Sequence, residues 1–444
     1  MVRGAPPSLA DLPHEPRGRG GSGPRTNEVI VQKSIPVRML SRLVFVSSLV
    51  VGPHPGLSAT PADRAQCPHF VAGSDGLPTH GEWRTHPAVG DVNGDGHLDI
   101  AGHPRKAPGP RVWLGDGTGK WTAASRGLAI PGKGCGVGVA FADVDSDGNL
   151  DLGVADHCSG LFVFLGDGKG SWRLAPIVGA ADRRGFEDLT FADINGDGHQ
   201  DMVAVSTFRG GVVLFAGDGT GRFAVQDVGL PETGFAKDVK VRDINGDGRL
   251  DIAATYSAGI EVPKPGTPSR NVVWLSGVDS RYVPGSRGIP STDGQWTGVA
   301  LGDVNGDGWL DLALSSTYHP GRPSLLVYLG DGHGNWTPSL DGLPPAPAEP
   351  AGWDPYWGVE LADFNRDGNL DLVAIGSRSA SIEIFLGDGE GGWRACEGTG
   401  LPGKREKLRG WGVSVADVNH DDKLDIIAGF GRKRAGAIEV WLQQ

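Results

Sequence analysis

The chain has 444 residues, among them 73 glycines, 32 prolines and four cysteines, and a formal charge of -12. That glycine and proline content excludes a predominantly helical protein and indicates a loop-rich β architecture. Basic residues form no stripe beyond Arg432 to Arg434, which argues against nucleic acid as a partner.

Residues 1–38 are rich in Pro, Gly and Arg without periodicity, and are expected to be disordered or an upstream extension of the reading frame. Residues 39–66 open with MLSRLVFVSSLVVG, in which Arg38 and Arg42 precede an apolar run from Leu43 to Val51 and small residues follow at 57–62. The pattern predicts a secretory signal peptide and linker, with Met39 as the true start. The alternative is a disordered tail with a chance apolar patch. The run is too short for a comfortable bilayer crossing, so no stable membrane span is expected.

From residue 67 to 444 the chain repeats. The stretch DVNGDGHLD begins at Asp91, and relatives of it begin at Asp143, Asp193, Asp243, Asp303, Asp363 and Asp417, spaced 52, 50, 50, 60, 60 and 54 residues apart. Such spacing marks one supersecondary unit repeated along the chain. Oxygen-bearing side chains at positions one, three, five and nine, with a backbone carbonyl at seven, resemble the first half of an EF-hand loop. The predicted ligands are Asp91, Asn93, Asp95, His97 and Asp99 in the first loop and Asp143, Asp145, Asp147, Asn149 and Asp151 in the second. The third offers Asp193, Asn195, Asp197, His199 and Asp201, and the fourth Asp243, Asn245, Asp247, Arg249 and Asp251. The fifth offers Asp303, Asn305, Asp307, Trp309 and Asp311, and the sixth Asp363, Asn365, Asp367, Asn369 and Asp371. The seventh offers Asp417, Asn419, Asp421, Lys423 and Asp425, with Asp422 where the others have glycine, so this loop is expected to bind more weakly.

Simple turn formation would explain the Asp, Asn and Gly content but not an Asp at the ninth position of every copy. Up to seven Ca2+ ions are therefore expected, and their +14 would bring the formal charge to about +2. Each loop is followed by LDI, LDL, QDM or the like, then by Val, Ala and Ile, so it joins two strands and no helix follows. Glycine stretches such as Gly115 to Gly119 and Gly166 to Gly170 join a third strand to a fourth that begins at an aromatic residue. Four antiparallel strands in each of seven units describe an all-β, seven-bladed β-propeller. The last unit ends after its third strand at Ala437 to Gln444, and Phe70 to Pro78 reads as an orphan fourth strand that closes the ring.

These units resemble FG-GAP or VCBS repeats, the family that includes the propeller of integrin α subunits. The resemblance covers about residues 68–444. It implies a calcium-stabilised, extracellular propeller that binds ligand on the face opposite the acidic loops. Integrins carry such loops in only some blades, and their ligand residues find no counterpart in the connecting loops here. Some secreted polysaccharide lyases also use calcium-loaded propellers, so the family leaves enzymatic activity open.

The insertions Tyr256 to Asn271 and Gly342 to Tyr356 fall on the face opposite the acidic loops, as do aromatics at the starts of the blades. Of these, Trp83, Trp296, Trp353, Tyr356, Trp357 and Trp411 are the candidate ligand-binding residues, able to stack on sugars or anchor a protein, with packing around the central channel as the alternative. His80, His86, His103, His157 and His319 lie toward the same face with Glu82, Glu187, Asp188 and Asp354, and are expected to be solvated. No catalytic residue is assigned. Cys135 and Cys158 stand opposite each other across a hairpin and are expected to be disulfide-bonded, whereas Cys67 and Cys396 could pair between neighbouring blades. The sequence thus reads as a secreted or cell-surface, monomeric binding or adhesion module for a carbohydrate or protein ligand. An extracellular carbohydrate-active enzyme such as a polysaccharide lyase is the alternative.

Overall fold

The computed structural model describes residues 66–176, 185–206, 211–231, 234–257, 272–290, 295–318, 323–346, 354–405, 407–432 and 435–444. The expectations for residues 1–65, the predicted signal included, lie outside the described residues, as do 258–271 and 347–353 of the two insertions, Trp353 among them, and His319. The described residues form strands and turns without helices, arranged as seven four-stranded antiparallel blades of a β-propeller. No helix among them is long and apolar enough to cross a membrane.

Blade 2 shows the plan. Its strands Val139–Ala142, Asp151–Asp156, Gly160–Gly166 and Trp172–Ala175 pair in chain order, each with the next. Its second strand, DLGVAD, is buried along its whole length because it is covered on both faces, which is why the sequence there is a continuous apolar run. The first strands of successive blades pack against one another all the way round, the seventh against the first, and so line the axis. Seven apolar clusters fill the seven spaces between neighbouring blades.

The aromatics that open the fourth strands are part of this packing. Trp121, Trp172 and Trp336 are buried and donate their indole N–H to Gly73, Ala124 and Gly285 of the preceding unit, at 2.7–2.9 Å. The close approach also requires glycine, since a Cβ on Gly127 (φ +94°) would lie 2.0 Å from the carbonyl oxygen of Trp172.

Ring closure follows the sequence expectation. Phe70–Ala72 pairs antiparallel with Ile438–Gln443, with Phe70 opposite Gln443, so the N-terminal strand supplies the fourth strand of blade 7. Disulfides join Cys67 to Cys396 and Cys135 to Cys158, both with a Cα separation of 5.5 Å. The first links the strand that closes blade 7 to the outer edge of blade 6.

Candidate functional site

The acidic loops and the glycine hairpins share one end of the ring. In the first loop the Asp91 carboxylate accepts N–H groups from Gly94, Asp95 and Gly96 at 2.7–3.2 Å, and Asp95 accepts that of His97 at 2.8 Å. The bond from the sixth-position N–H to the first-position carboxylate recurs in every loop. Position six is left-handed throughout, and in the seventh loop Asp422 adopts φ +65° to keep the same bond. Position four is left-handed as well, even where Ser146, Arg366 and His420 replace glycine.

The ninth aspartate has a structural duty that turn chemistry did not reveal. Asp99 accepts the Val92 N–H at 2.8 Å and the Gly115 N–H at 2.9 Å, tying the start of the loop to the end of the third strand. Blade 4 lacks the glycine hairpin, yet Asp251 makes the same clamp with Ile244 and Ser276, because only a backbone N–H is needed.

These carboxylates are buried in negative surroundings. Burial, with added repulsion from the other carboxylates of each loop, raises Asp99, Asp151, Asp311 and Asp425 to a pKa of about 7, Asp371 to about 8 and Asp251 to about 6. In the second loop Asp143, Asp145 and Asp151 bring ligand oxygens within 4.8 Å of one another, and Oδ1 of Asp145 is buried without a partner. An all-oxygen donor set with excess negative charge fits a hard divalent cation. The fourth loop differs, since the Arg249 guanidinium lies on Asp247 and donates to the Ser276 carbonyl at 3.1 Å.

The opposite end of the inner strands is built otherwise. A small cleft opens there, lined by Arg84, Thr85, His86, Val137, Glu187, Lys237, Trp357 and Trp411. Six blades contribute to it. Trp357 and Trp411 pack edge to face with centroids 4.6 Å apart, and the Arg84 guanidinium lies over both, 5.0 Å from the Trp411 centroid. Glu187 accepts from Arg84 at 2.8 Å and Lys237 at 3.0 Å, and pairs with His157. Burial works to raise Glu187, but the two cations and His157 outweigh it and hold the group far below the usual carboxylate range. Burial lowers Lys237 to about 8 against the pull of Glu187.

Consecutive residues reach the axis because the strands are irregular. Pairing slips between Phe186 and Asp188 in blade 3 and between Ala236 and Val239 in blade 4, so Glu187 with Asp188, and Lys237 with Asp238, escape strict alternation. No sequence signal marked these bulges. Beside the cleft, buried His103 donates or accepts at 2.9 Å with Asp156, whose oxygens also take the N–H groups of Cys135, Cys158 and Ser159.

Two sequence expectations need correction here. Trp83, Trp296, Tyr356 and Trp411 are buried at 3–6% exposure and offer no exposed stacking face, because the inner strands crowd together at the axis; half-buried Trp357, with the edge of Trp411, borders the cleft. Glu82, His103, Glu187 and Asp188 are buried, and the first three are ion-paired rather than solvated, since the same crowding removes water from charged side chains.

No curated protein matches the chain as a relative. Solved structures that resemble it include a lectin from Agrocybe aegerita described as recognising non-reducing terminal N-acetylglucosamine, at 18% identity over 74% of this chain and 84% of that one, with a TM-score of 0.47. Another is the rhamnogalacturonan lyase YesW, at 13% identity over 84% of this chain and 75% of that one, with a TM-score of 0.46. The FG-GAP-like repeat family matches residues 146–204, 193–254, 303–374 and 363–428, together more than half of the sequence. With that coverage and seven blades built on one plan, the chain belongs to the FG-GAP-like repeat family.

Proposed function

We propose that this protein is an exported, calcium-stabilised propeller that binds an acidic extracellular carbohydrate in the axial cleft opposite its acidic loops. The observation that supports this reading is the meeting of Arg84 and Lys237 with Trp357 and Trp411 in one cleft, since cations recognise a carboxylate while an aromatic edge packs on a sugar ring. The two disulfides favour an oxidising compartment.

Calcium would be held by the first, third, fifth and ninth side chains of each loop, with Asp91, Asn93, Asp95 and Asp99 as the pattern. Bound there, it would supply positive charge to carboxylates that otherwise repel one another.

A second reading, a polysaccharide lyase, draws on Lys237. An amine brought to about 8 at the cleft is tuned for proton abstraction near neutral pH.

A glycan array probed with the full chain in calcium tests the binding reading. Trp357→Ala should weaken the interaction by roughly 2 kcal/mol or more. Asp193→Ala with Asp197→Ala should leave the affinity of folded protein intact. Retention of acidic peptides alone would replace the carbohydrate with a protein partner. Unsaturated sugar products detected by ultraviolet absorbance would favour the lyase. Loss of binding in the loop variant but not in the tryptophan variant would move the site to the acidic end.

A further inference from the structure

Beside the cleft, one histidine and two aspartates from three blades converge. His86 lies two residues before the first strand of blade 1, Asp188 on the inner strand of blade 3 (Phe186–Ala192) and Asp238 on that of blade 4 (Phe235–Arg242). A ring nitrogen of His86 and one oxygen from each aspartate lie within 4.8 Å of one another. Asp188 and Asp238 are 7% and 2% exposed. Asp238 uses Oδ2 to accept the Val299 N–H at 2.9 Å, while its Oδ1 is buried with no hydrogen-bond partner.

An unsatisfied buried carboxylate oxygen is costly, so the arrangement calls for a positive occupant. The nearby Lys240 does not supply it by contact, because its ammonium is committed to Glu360 at 2.8 Å. Among the described residues neither nitrogen of His86 is bonded to protein. Nor can the pair separate easily, for the blade 2 backbone is pressed against it: a Cβ on Gly138 would stand 2.1 Å from Asp188 Oδ1.

We propose that His86, Asp188 and Asp238 form a binding site for one divalent transition-metal cation of the zinc or manganese class, on the axis beside the cleft. The imidazole sets the class: calcium and magnesium take oxygen ligands, whereas a nitrogen with two carboxylates suits borderline metals. Three protein ligands leave at least one position of a tetrahedral ion open. His86 lines both the cluster and the cleft, so the site adjoins the cleft. The site is chemically distinct from the seven loops and lies toward the other end of the inner strands, and it does not depend on the ligand reading above. Burial and the charge of Asp238 raise the pKa of Asp188, so a proton shared by the two carboxylates is the competing occupant.

The test uses the full chain, stripped with chelator and returned to saturating calcium so that hard-cation sites are filled. Zinc is then titrated by calorimetry, and cobalt(II) by its visible absorption. One calcium-resistant zinc per chain is expected, with affinity reduced on the order of tenfold or more in His86→Gln and Asp188→Asn and unchanged in Asp193→Ala. His86→Gln removes a half-buried group that makes no protein hydrogen bond, so it decides the matter if Asp188→Asn fails to fold. Absence of calcium-resistant zinc uptake, as a shared proton would give, overturns the proposal. So does uptake that persists unchanged in folded His86→Gln.

Discussion

Each acidic loop closes on itself, as when Asp91 gathers the N–H groups of Gly94, Asp95 and Gly96 and Asp99 reaches only as far as Gly115. The axial cleft does the opposite, drawing Arg84, Val137, Glu187, Lys237, Trp357 and Trp411 from six blades. The first kind of site is copied with the repeat and tolerates variation, as Asp422 and Ser276 show by preserving its bonds without the usual glycine. The second exists once, because each blade contributes a different side chain. The loop bonds are thus spread over seven copies, while the cleft is one assembly that no single repeat contains.

If the loops hold calcium as proposed, removing it from all of them together should have the greatest effect. Excess chelator should lower the melting temperature strongly, each calcium-filled loop being worth about 2.7 kcal/mol at a calcium concentration 100-fold above its Kd. Superimposable melting curves with and without calcium would leave the clamps of the ninth aspartates as the loops' whole contribution.

At the cleft, Glu187→Ala leaves Arg84 and Lys237 without their shared counter-charge and should cost roughly 3–5 kcal/mol in urea unfolding. A loss below about 1 kcal/mol would show that the cations are solvated there.

The network beside the cleft should respond to acid. Burial pushes Asp156 up, but the His103 hydrogen bond and the backbone N–H groups of Cys135 and Cys158 more than offset this, leaving its pKa below the ordinary aspartate value. Its contribution is therefore present above the unfolded pKa, near 3.8, and lost as pH falls through the depressed folded value. Asp156→Asn should lower stability by about 1–3 kcal/mol at neutral pH, and the difference from wild type should shrink toward strongly acidic pH. A difference independent of pH would overturn this account.

The smallest expected effect lies in the seventh loop. Asp422→Gly relieves a left-handed aspartate and should raise stability by up to about 1 kcal/mol while tightening calcium binding there, as read by calorimetry. A destabilised variant would show that the Asp422 side chain has its own role.

The blade count, the strand order within a blade and the closing strand were legible because their signals are short-range and repeated: Asp91 to Asp99, the glycine hairpin and the aromatic after it recur at a fixed plan, and Phe70 to Pro78 stood out as the missing fourth strand. Reading Trp83, Trp296 and Trp411 as exposed failed for a related reason, since a residue's place in the repeat does not say how tightly seven inner strands crowd at the axis. The axial end, by contrast, was not legible in the repeat. There, bulges at Glu187 and Lys237 turn consecutive side chains inward, and residues from distant blades, such as Arg84 and Glu187 or His86 and Asp238, become neighbours. A nine-residue loop is organised by hydrogen bonds among its own atoms and so can be read from spacing alone. A site made of one residue per blade has no spacing to read, because its geometry is set by closure of the ring.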